Sequence, residues 1–162
     1  MTVVLVNAHV IDCVRPGVRA ASVSVEDGRI VDVADGGGTV PAGARVIDVA
    51  GGYLLPGLWD VHVHLEWPRV PAASAAELTV QYAANAAQGL LESGVTAIRT
   101  AGTPHFIDVA LKRAYASGRL VGPRIFAAGW FLTTTAGHAL GTGFAKTCDG
   151  PMGFVRAIRE QM

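Results

Sequence analysis

Two histidines one residue apart are the residues of this sequence best suited to chemistry. His62 and His64 lie in the segment 54–65, whose apolar residues predict a buried strand after a Pro-Gly turn. Because side chains alternate between the faces of a strand, we expect Asp60, His62 and His64 to share one face. Two imidazoles at this spacing can bind the same metal ion. The alternative is a structural pair in which each ring is hydrogen-bonded within the core.

The composition favours an α/β fold and excludes some partners. Of 162 residues, 51% are hydrophobic and 16% charged, which is typical of parallel strands buried on both faces. Thirteen basic residues balance thirteen acidic ones, so nothing indicates a nucleic-acid or anionic-membrane partner. The sequence has no bilayer-length apolar run and no recognisable signal peptide. We therefore expect a cytoplasmic protein in which Cys13 and Cys148 are free thiols.

The pattern divides the chain into two predicted domains. Residues 1–53 contain short alternating strands and a turn at 26–29, which predict a small antiparallel β-module with a marginal core of its own. Residues 54–162 alternate strands with helices. The predicted strands are 54–65, 95–99 and 123–129; the predicted helices are 74–93, 103–118 and a third from 151, after a loop at 130–150.

Successive strand–helix units predict a parallel sheet with right-handed crossovers, the start of either a doubly wound sheet or a (β/α)8 barrel. In both architectures functional residues gather at the carboxyl ends of the strands. The histidine pair, Arg99 and the loop carrying His138 all lie at such ends. Three units leave strand edges unpaired, and a barrel needs about 250 residues. We therefore expect the N-terminal part of a larger protein, whether truncated, cleaved or one half of a split enzyme.

The segments Leu55-Pro56-Gly57-Leu58 and Asp60-Val61-His62-Val63-His64, following a small β-module, resemble the amidohydrolase superfamily. Three later segments resemble its branch of imidazolonepropionase-like enzymes and Xaa-Pro dipeptidases: Gly94-Val95-Thr96-Ala97-Ile98-Arg99, Gly122-Pro123-Arg124-Ile125 and Thr134-Thr135-Ala136-Gly137-His138. The resemblance implies a (β/α)8 barrel whose β-module is completed, as a composite β-sandwich, by strands from the C-terminal remainder. It also implies a metal-dependent hydrolase that cleaves an amide-type C–N bond with a metal-activated water.

The resemblance assigns roles to individual residues. His62 and His64 match the first two ligands of a site that holds one or two divalent metals, normally Zn²⁺. Asp60 would orient an imidazole, or else bond only to backbone, and His138 and Arg99 would contact the substrate. Thr100 stands where the branch often has an aspartate, which weakens the assignment to a substrate subgroup. The general-base aspartate and the remaining ligands are expected beyond residue 162, so we place no catalytic residue in this chain and expect it to be inactive alone.

The expected partners are a small-molecule amide, dipeptide or N-acyl amino acid substrate and the C-terminal remainder of the barrel or a complementary chain. We also expect a homo-oligomer. Two alternatives stay open from the sequence. One is a non-catalytic α/β module that associates through its open sheet edge; the other is a degenerate relative of the hydrolases. In both, the histidine pair is structural. His9 and His105 stand in no motif, and we expect them to be structural or exposed.

Overall fold

The computed structural model describes residues 1–65 and 74–162, which divide into two compact units, Met1–Pro56 and Gly57–Met162. Each unit buries an apolar cluster of its own. In the first unit the cluster comprises Ala8, Val10, Ala21 and Val23. In the second it comprises Leu65, Tyr82, Ala86, Ile98, Ile107, Leu111 and Ile125. Within the described ranges no helix is both long and apolar enough to cross a membrane.

The first unit is a sheet whose strand order is β3-β2-β1-β4, with β5 also paired to β1. Its strands are β1 (Thr2–Val10), β2 (Arg19–Glu26), β3 (Arg29–Asp35), β4 (Arg45–Asp48) and β5 (Tyr53–Leu54). Strand β2 is antiparallel to both β1 and β3, as the sequence predicts. The β2–β3 turn is built by Asp27 and Gly28, both at positive φ, the conformation that matches the twist of a two-residue hairpin.

The prediction of a wholly antiparallel module is wrong, because β4 and β5 are parallel to β1. Strand β3 runs in the same direction as β1, since each is antiparallel to β2. The chain after β3 crosses to the far side of β1 before β4 begins, and a crossover of this kind returns the chain in its original direction. The alternation of apolar residues predicts that these strands exist, but it carries no information on this long connection.

The second unit contains a three-stranded parallel sheet in the order β6-β7-β8. Its elements are β6 (Leu58–Val63), α1 (Ala75–Ser93), β7 (Val95–Thr100), α2 (Ile107–Ala116), β8 (Arg124–Phe126), β9 (Phe131–Thr133), β10 (Ala145–Thr147) and α3 (Gly150–Arg159). The strand–helix alternation therefore produces the predicted parallel sheet. Ile98 on β7 and Ile125 on β8 pack against the helices in the buried cluster.

Helix α1 follows its sequence signals closely. The Ser74 hydroxyl accepts a hydrogen bond from the Glu77 amide at 3.2 Å, and the Glu77 carboxylate accepts one from the Ser74 amide at 2.7 Å. This reciprocal capping box satisfies two amides at the helix start and holds the pKa of Glu77 below its usual range. The helix ends at Gly94, whose φ of 68° is the left-handed cap that glycine favours.

Two predicted boundaries are corrected by the structure. The chain forms one turn of 3₁₀ helix at Pro104–Phe106, with His105 and Phe106 at φ of 55° and 54°, so that α2 begins only at Ile107 rather than at 103. The loop predicted at 130–150 contains β9 and β10, which pair in parallel. Short strands of three residues lack the length over which a repeating apolar pattern becomes recognisable.

Candidate metal and substrate site

The carboxyl end of β6 brings the two histidine rings together. The centroids of the His62 and His64 rings are 5.3 Å apart, with the ring planes at 65°. An imidazole nitrogen lies about 2.0–2.1 Å from a bound zinc and about 1.2 Å from its ring centre, so two rings on one tetrahedral ion have centroids roughly 5 Å apart. The observed separation therefore fits a shared metal ion.

The described residues supply only part of a metal site. Among residues 1–65 and 74–162, no group of three or more histidines, cysteines or carboxylates is placed to hold a metal ion. A structural or catalytic zinc requires at least three protein ligands. His62 and His64 thus fit two positions of such a site.

Asp60 contacts the backbone beside the histidines. Its Oδ1 accepts a hydrogen bond from the His62 amide at 3.1 Å. Asp60 pairs with Ile98, and Val63 pairs with Thr100. An advance of three residues along β6 therefore corresponds to an advance of two residues along β7. This bulge places Asp60 and Val63 on the same side of the sheet, and the expected strict alternation from Asp60 through His64 is wrong. A role for Asp60 in orienting an imidazole stays a prediction.

Arg99 lies on β7 beside the histidine strand. Its Nε donates a hydrogen bond to the Val61 carbonyl at 2.7 Å, which joins the side chain of one strand to the backbone of the next. The side chain is exposed on the sheet. This contact holds a guanidinium one residue from His62, and its contribution to substrate binding stays a prediction.

A series of aromatic contacts connects His138 to the histidine pair. The ring of His138 lies 6.0 Å from that of Phe131, which lies 6.0 Å from that of Phe144. The Phe144 ring in turn lies 6.3 Å from that of His64. The structure therefore brings the predicted substrate-binding histidine to the same end of the sheet as the predicted metal ligands, with two phenyl rings between them.

The loop that carries His138 is anchored at its start. Both the amide and the hydroxyl of Thr135 donate hydrogen bonds to the Asp149 carboxylate, at 2.8 Å and 2.5 Å, and these bonds hold the pKa of Asp149 below its usual range. Ala136 and Ala139, on either side of His138, have φ of 58° and 64°. Non-glycine residues in this region carry strain that persists only where surrounding contacts hold it, a feature concentrated at functional sites.

The sequence interpretation missed a buried acid close to this end of the sheet. Asp108 is 0% exposed, although it lies in the first turn of α2. The available signal was its spacing: Asp108 stands three residues before the buried Leu111, which places both on the same face of the helix. A carboxylate on an apolar helix face needs hydrogen-bond donors inside the protein.

Comparison with known proteins identifies the family. The profile of the amidohydrolase family matches residues 53–162. An adenine deaminase from Dehalococcoides mccartyi (strain CBDB1) is 39% identical over 79 residues, which make up 49% of this chain and 13% of the relative.

Two solved structures match almost the whole chain. A prolidase complexed with N-methylphosphonate-L-proline has a TM-score of 0.83 and 28% identity, with 99% of this chain and 43% of the prolidase covered. A Xaa-Pro dipeptidase with bound methionine in its active site has a TM-score of 0.84 and 25% identity, covering 99% and 44%. The chain thus spans less than half the length of either enzyme. On the match over residues 53–162, the chain belongs to the amidohydrolase family.

Proposed function

We propose that this chain provides the first metal-binding strand of a metal-dependent hydrolase that cleaves C–N bonds on a (β/α)8 barrel. The observation that carries the proposal is the contact between the His62 and His64 rings at the carboxyl end of β6. In parallel α/β barrels this end of the strands carries the active site. Family membership adds a chemical expectation, hydrolysis, to this geometry.

In the proposed reaction His62 and His64 hold a divalent metal, with Zn²⁺ as the first candidate. The chemistry that such a cation would supply when held there is polarisation of a carbonyl and a lower pKa of bound water. Arg99 supplies positive charge beside β6, and His138 supplies a ring nitrogen that can donate or accept a hydrogen bond. We assign both to the polar atoms of the substrate. The described residues place no third ligand beside these two, so the proposal requires further ligands and a general base from other parts of the enzyme.

A small amide or dipeptide is the proposed substrate class. The printed names of the two structural relatives favour a dipeptide with a C-terminal proline, whereas the name of the sequence relative favours a purine amine. The prolidase and the Xaa-Pro dipeptidase each match 99% of this chain, whereas the adenine deaminase matches 49% of it. We therefore rank Xaa-Pro dipeptides first and adenine second.

The exposed apolar side chains of β6 and β8 support the proposal that further barrel strands enclose this sheet. Trp59 and Val61 on β6 are 57% and 59% exposed, and Phe126 on β8 is 43% exposed. The rings of Trp59 and Phe126 contact each other across the sheet, with centroids 5.2 Å apart. Apolar side chains of this size favour burial. Association through this surface without catalysis is the alternative function.

The test measures metal content and hydrolysis in the polypeptide that the gene encodes. We expect His62→Ala and His64→Ala each to lower bound zinc, measured by inductively coupled plasma mass spectrometry, and to abolish hydrolysis of Xaa-Pro dipeptides. The matched control is His105→Ala, an exposed histidine in the same unit. If all three variants keep the metal content and activity of the wild type, the histidine pair is structural. If the wild type holds metal but hydrolyses only adenine, the second substrate class replaces the first.

A further inference from the structure

The carboxyl ends of β7 and β8 are joined by a buried carboxylate. Oδ2 of Asp108 accepts three hydrogen bonds: from the Thr100 hydroxyl at 2.7 Å, from the Ala128 amide at 2.9 Å and from the Gly129 amide at 3.0 Å. Its Oδ1 accepts one from the Val109 amide at 2.8 Å. A fully buried carboxylate is costly unless its oxygens are hydrogen-bonded, and here both are.

Thr103 completes a closed circuit of hydrogen bonds with Asp108 and Gly129, which we call the polar ring. The hydroxyl of Thr103, which is 0% exposed, accepts a hydrogen bond from the Asp108 amide at 3.1 Å. The Thr103 amide donates to the Gly129 carbonyl at 2.7 Å. The segment after β7, the start of α2 and the turn after β8 are therefore fixed to one another by polar contacts. Both residues of the Ala128–Gly129 turn donate a backbone hydrogen bond to the Asp108 carboxylate.

The turn leads directly to the aromatic residues of the candidate site. Two residues after Gly129 comes Phe131, whose ring contacts the rings of His138 and Phe144. Phe131 is also pressed against the segment after β7, because a Cβ built on Gly102 would lie 2.7 Å from the Phe131 Cβ and 2.8 Å from its Cα. In a close-packed contact of this kind a shift of the turn is passed on to the Phe131 ring rather than absorbed.

We propose that Asp108 is a positioning residue of the candidate site: it fixes the Ala128–Gly129 turn and thereby the Phe131 ring against which His138 is placed. The residue does not touch the substrate. Three hydrogen bonds to one oxygen define the position of the turn more sharply than apolar packing would, because each bond is lost with small changes of distance and angle. The consequence for catalysis rests on the proposed function, whereas the placement of His138 does not.

The test compares three variants in the polypeptide that the gene encodes. Asp108→Ala removes all four acceptor contacts. Asp108→Asn keeps an oxygen for the three donors at Oδ2 and loses only the bond from the Val109 amide, because its NH2 group cannot accept one, so it is the conservative variant. Leu111→Ala is the matched control, because Leu111 is 2% exposed on the same helix and packs in the apolar cluster, with no polar group that could bond to the turn. All are measured under conditions in which circular dichroism shows full folding.

We expect Asp108→Ala to raise KM for the Xaa-Pro dipeptide and lower kcat/KM by about 10²-fold, the loss that an ångström-scale misplacement causes, with the metal content unchanged. Asp108→Asn recovers most of this loss, and Leu111→Ala changes kcat/KM little. The second measurement, independent of activity, is the nuclear magnetic resonance signal of the His138 Cε1–Hε1 group, which senses the ring current of Phe131. It moves in Asp108→Ala and stays in place in Leu111→Ala.

The two measurements separate failure of this inference from failure of the proposed function. A wild type that neither binds metal nor hydrolyses amides overturns the proposed function, while the His138 signal still decides the placement. If the His138 signal moves as far in Leu111→Ala as in Asp108→Ala, or moves in neither, Asp108 has only a general structural role. Either result overturns the inference.

Discussion

Replacing Gly102 by alanine should displace the Phe131 backbone and destabilise the second unit by about 4 kcal/mol. Gly102 has a φ of +118°, which L side chains rarely adopt, and forcing alanine into it costs about 1–3 kcal/mol. The added Cβ would meet the Cβ, Cα and N of Phe131 at 2.7 Å, 2.8 Å and 2.8 Å. None of these atoms can swing away as the end of a flexible side chain can, so the overlap adds about 1–3 kcal/mol.

Gly118→Ala is the matched control for this substitution. Gly118 also has a positive φ, +69°, but a Cβ there would meet nothing within 4 Å. It should therefore cost only the strain of the left-handed backbone, about 1 kcal/mol. Urea unfolding gives both free energies, and the His138 ring signal reports the displacement of Phe131. If Gly102→Ala costs no more than Gly118→Ala and leaves the His138 signal in place, the close packing inferred for Phe131 is refuted.

Three further substitutions test the local contacts. Ser74→Ala should lower the free energy of unfolding by about 1 kcal/mol in urea, because it removes the capping box, whereas Thr79→Ala in the same helix should cost less than about 0.5 kcal/mol. Tyr115→Phe removes the 3.2 Å hydrogen bond that its hydroxyl donates to α1 and should cost about 1 kcal/mol in the same assay. Hydrogen bonds from Thr135 lower the pKa of Asp149 in the folded protein. The decrease in the free energy of unfolding caused by Asp149→Asn should therefore be constant from pH 7 down to about 4, the pKa of an aspartate in the unfolded chain. It should vanish as the pH falls through the folded pKa. A loss that persists unchanged at pH 2 would contradict this tether.

Features that depend on neighbouring residues were predictable from the sequence. The α1 helix follows from a capping box, an apolar stripe and a terminal glycine, all within one segment. The parallel order β6-β7-β8 follows from alternating strand and helix signals, because a crossover helix leaves little other choice. The spacing of His62 and His64 likewise needs only one strand to bring the rings together.

Features that depend on distant partners were not predictable in this way. Pro104 favours the first turn of a helix, and the sequence therefore predicts one there. The structure instead has His105 and Phe106 in the left-handed region, and α2 begins at Ile107. The bulge after Asp60 is similar, because it depends on the pairing of β6 with β7 rather than on the alternation within β6.

The relation between His138 and the histidine pair shows where sequence reasoning needs the fold. The spacing of residues 62, 64 and 138 in the sequence does not predict which side chains lie between their rings. The connection passes through Phe131 and Phe144, residue types that a sequence pattern assigns to an apolar core. It is therefore packing that relates the proposed metal ligands to the proposed substrate-binding residue. Because a close-packed contact transmits small shifts, the hydrogen bonds from the Ala128–Gly129 turn to Asp108 are well placed to control the position of Phe131 and, through it, of His138.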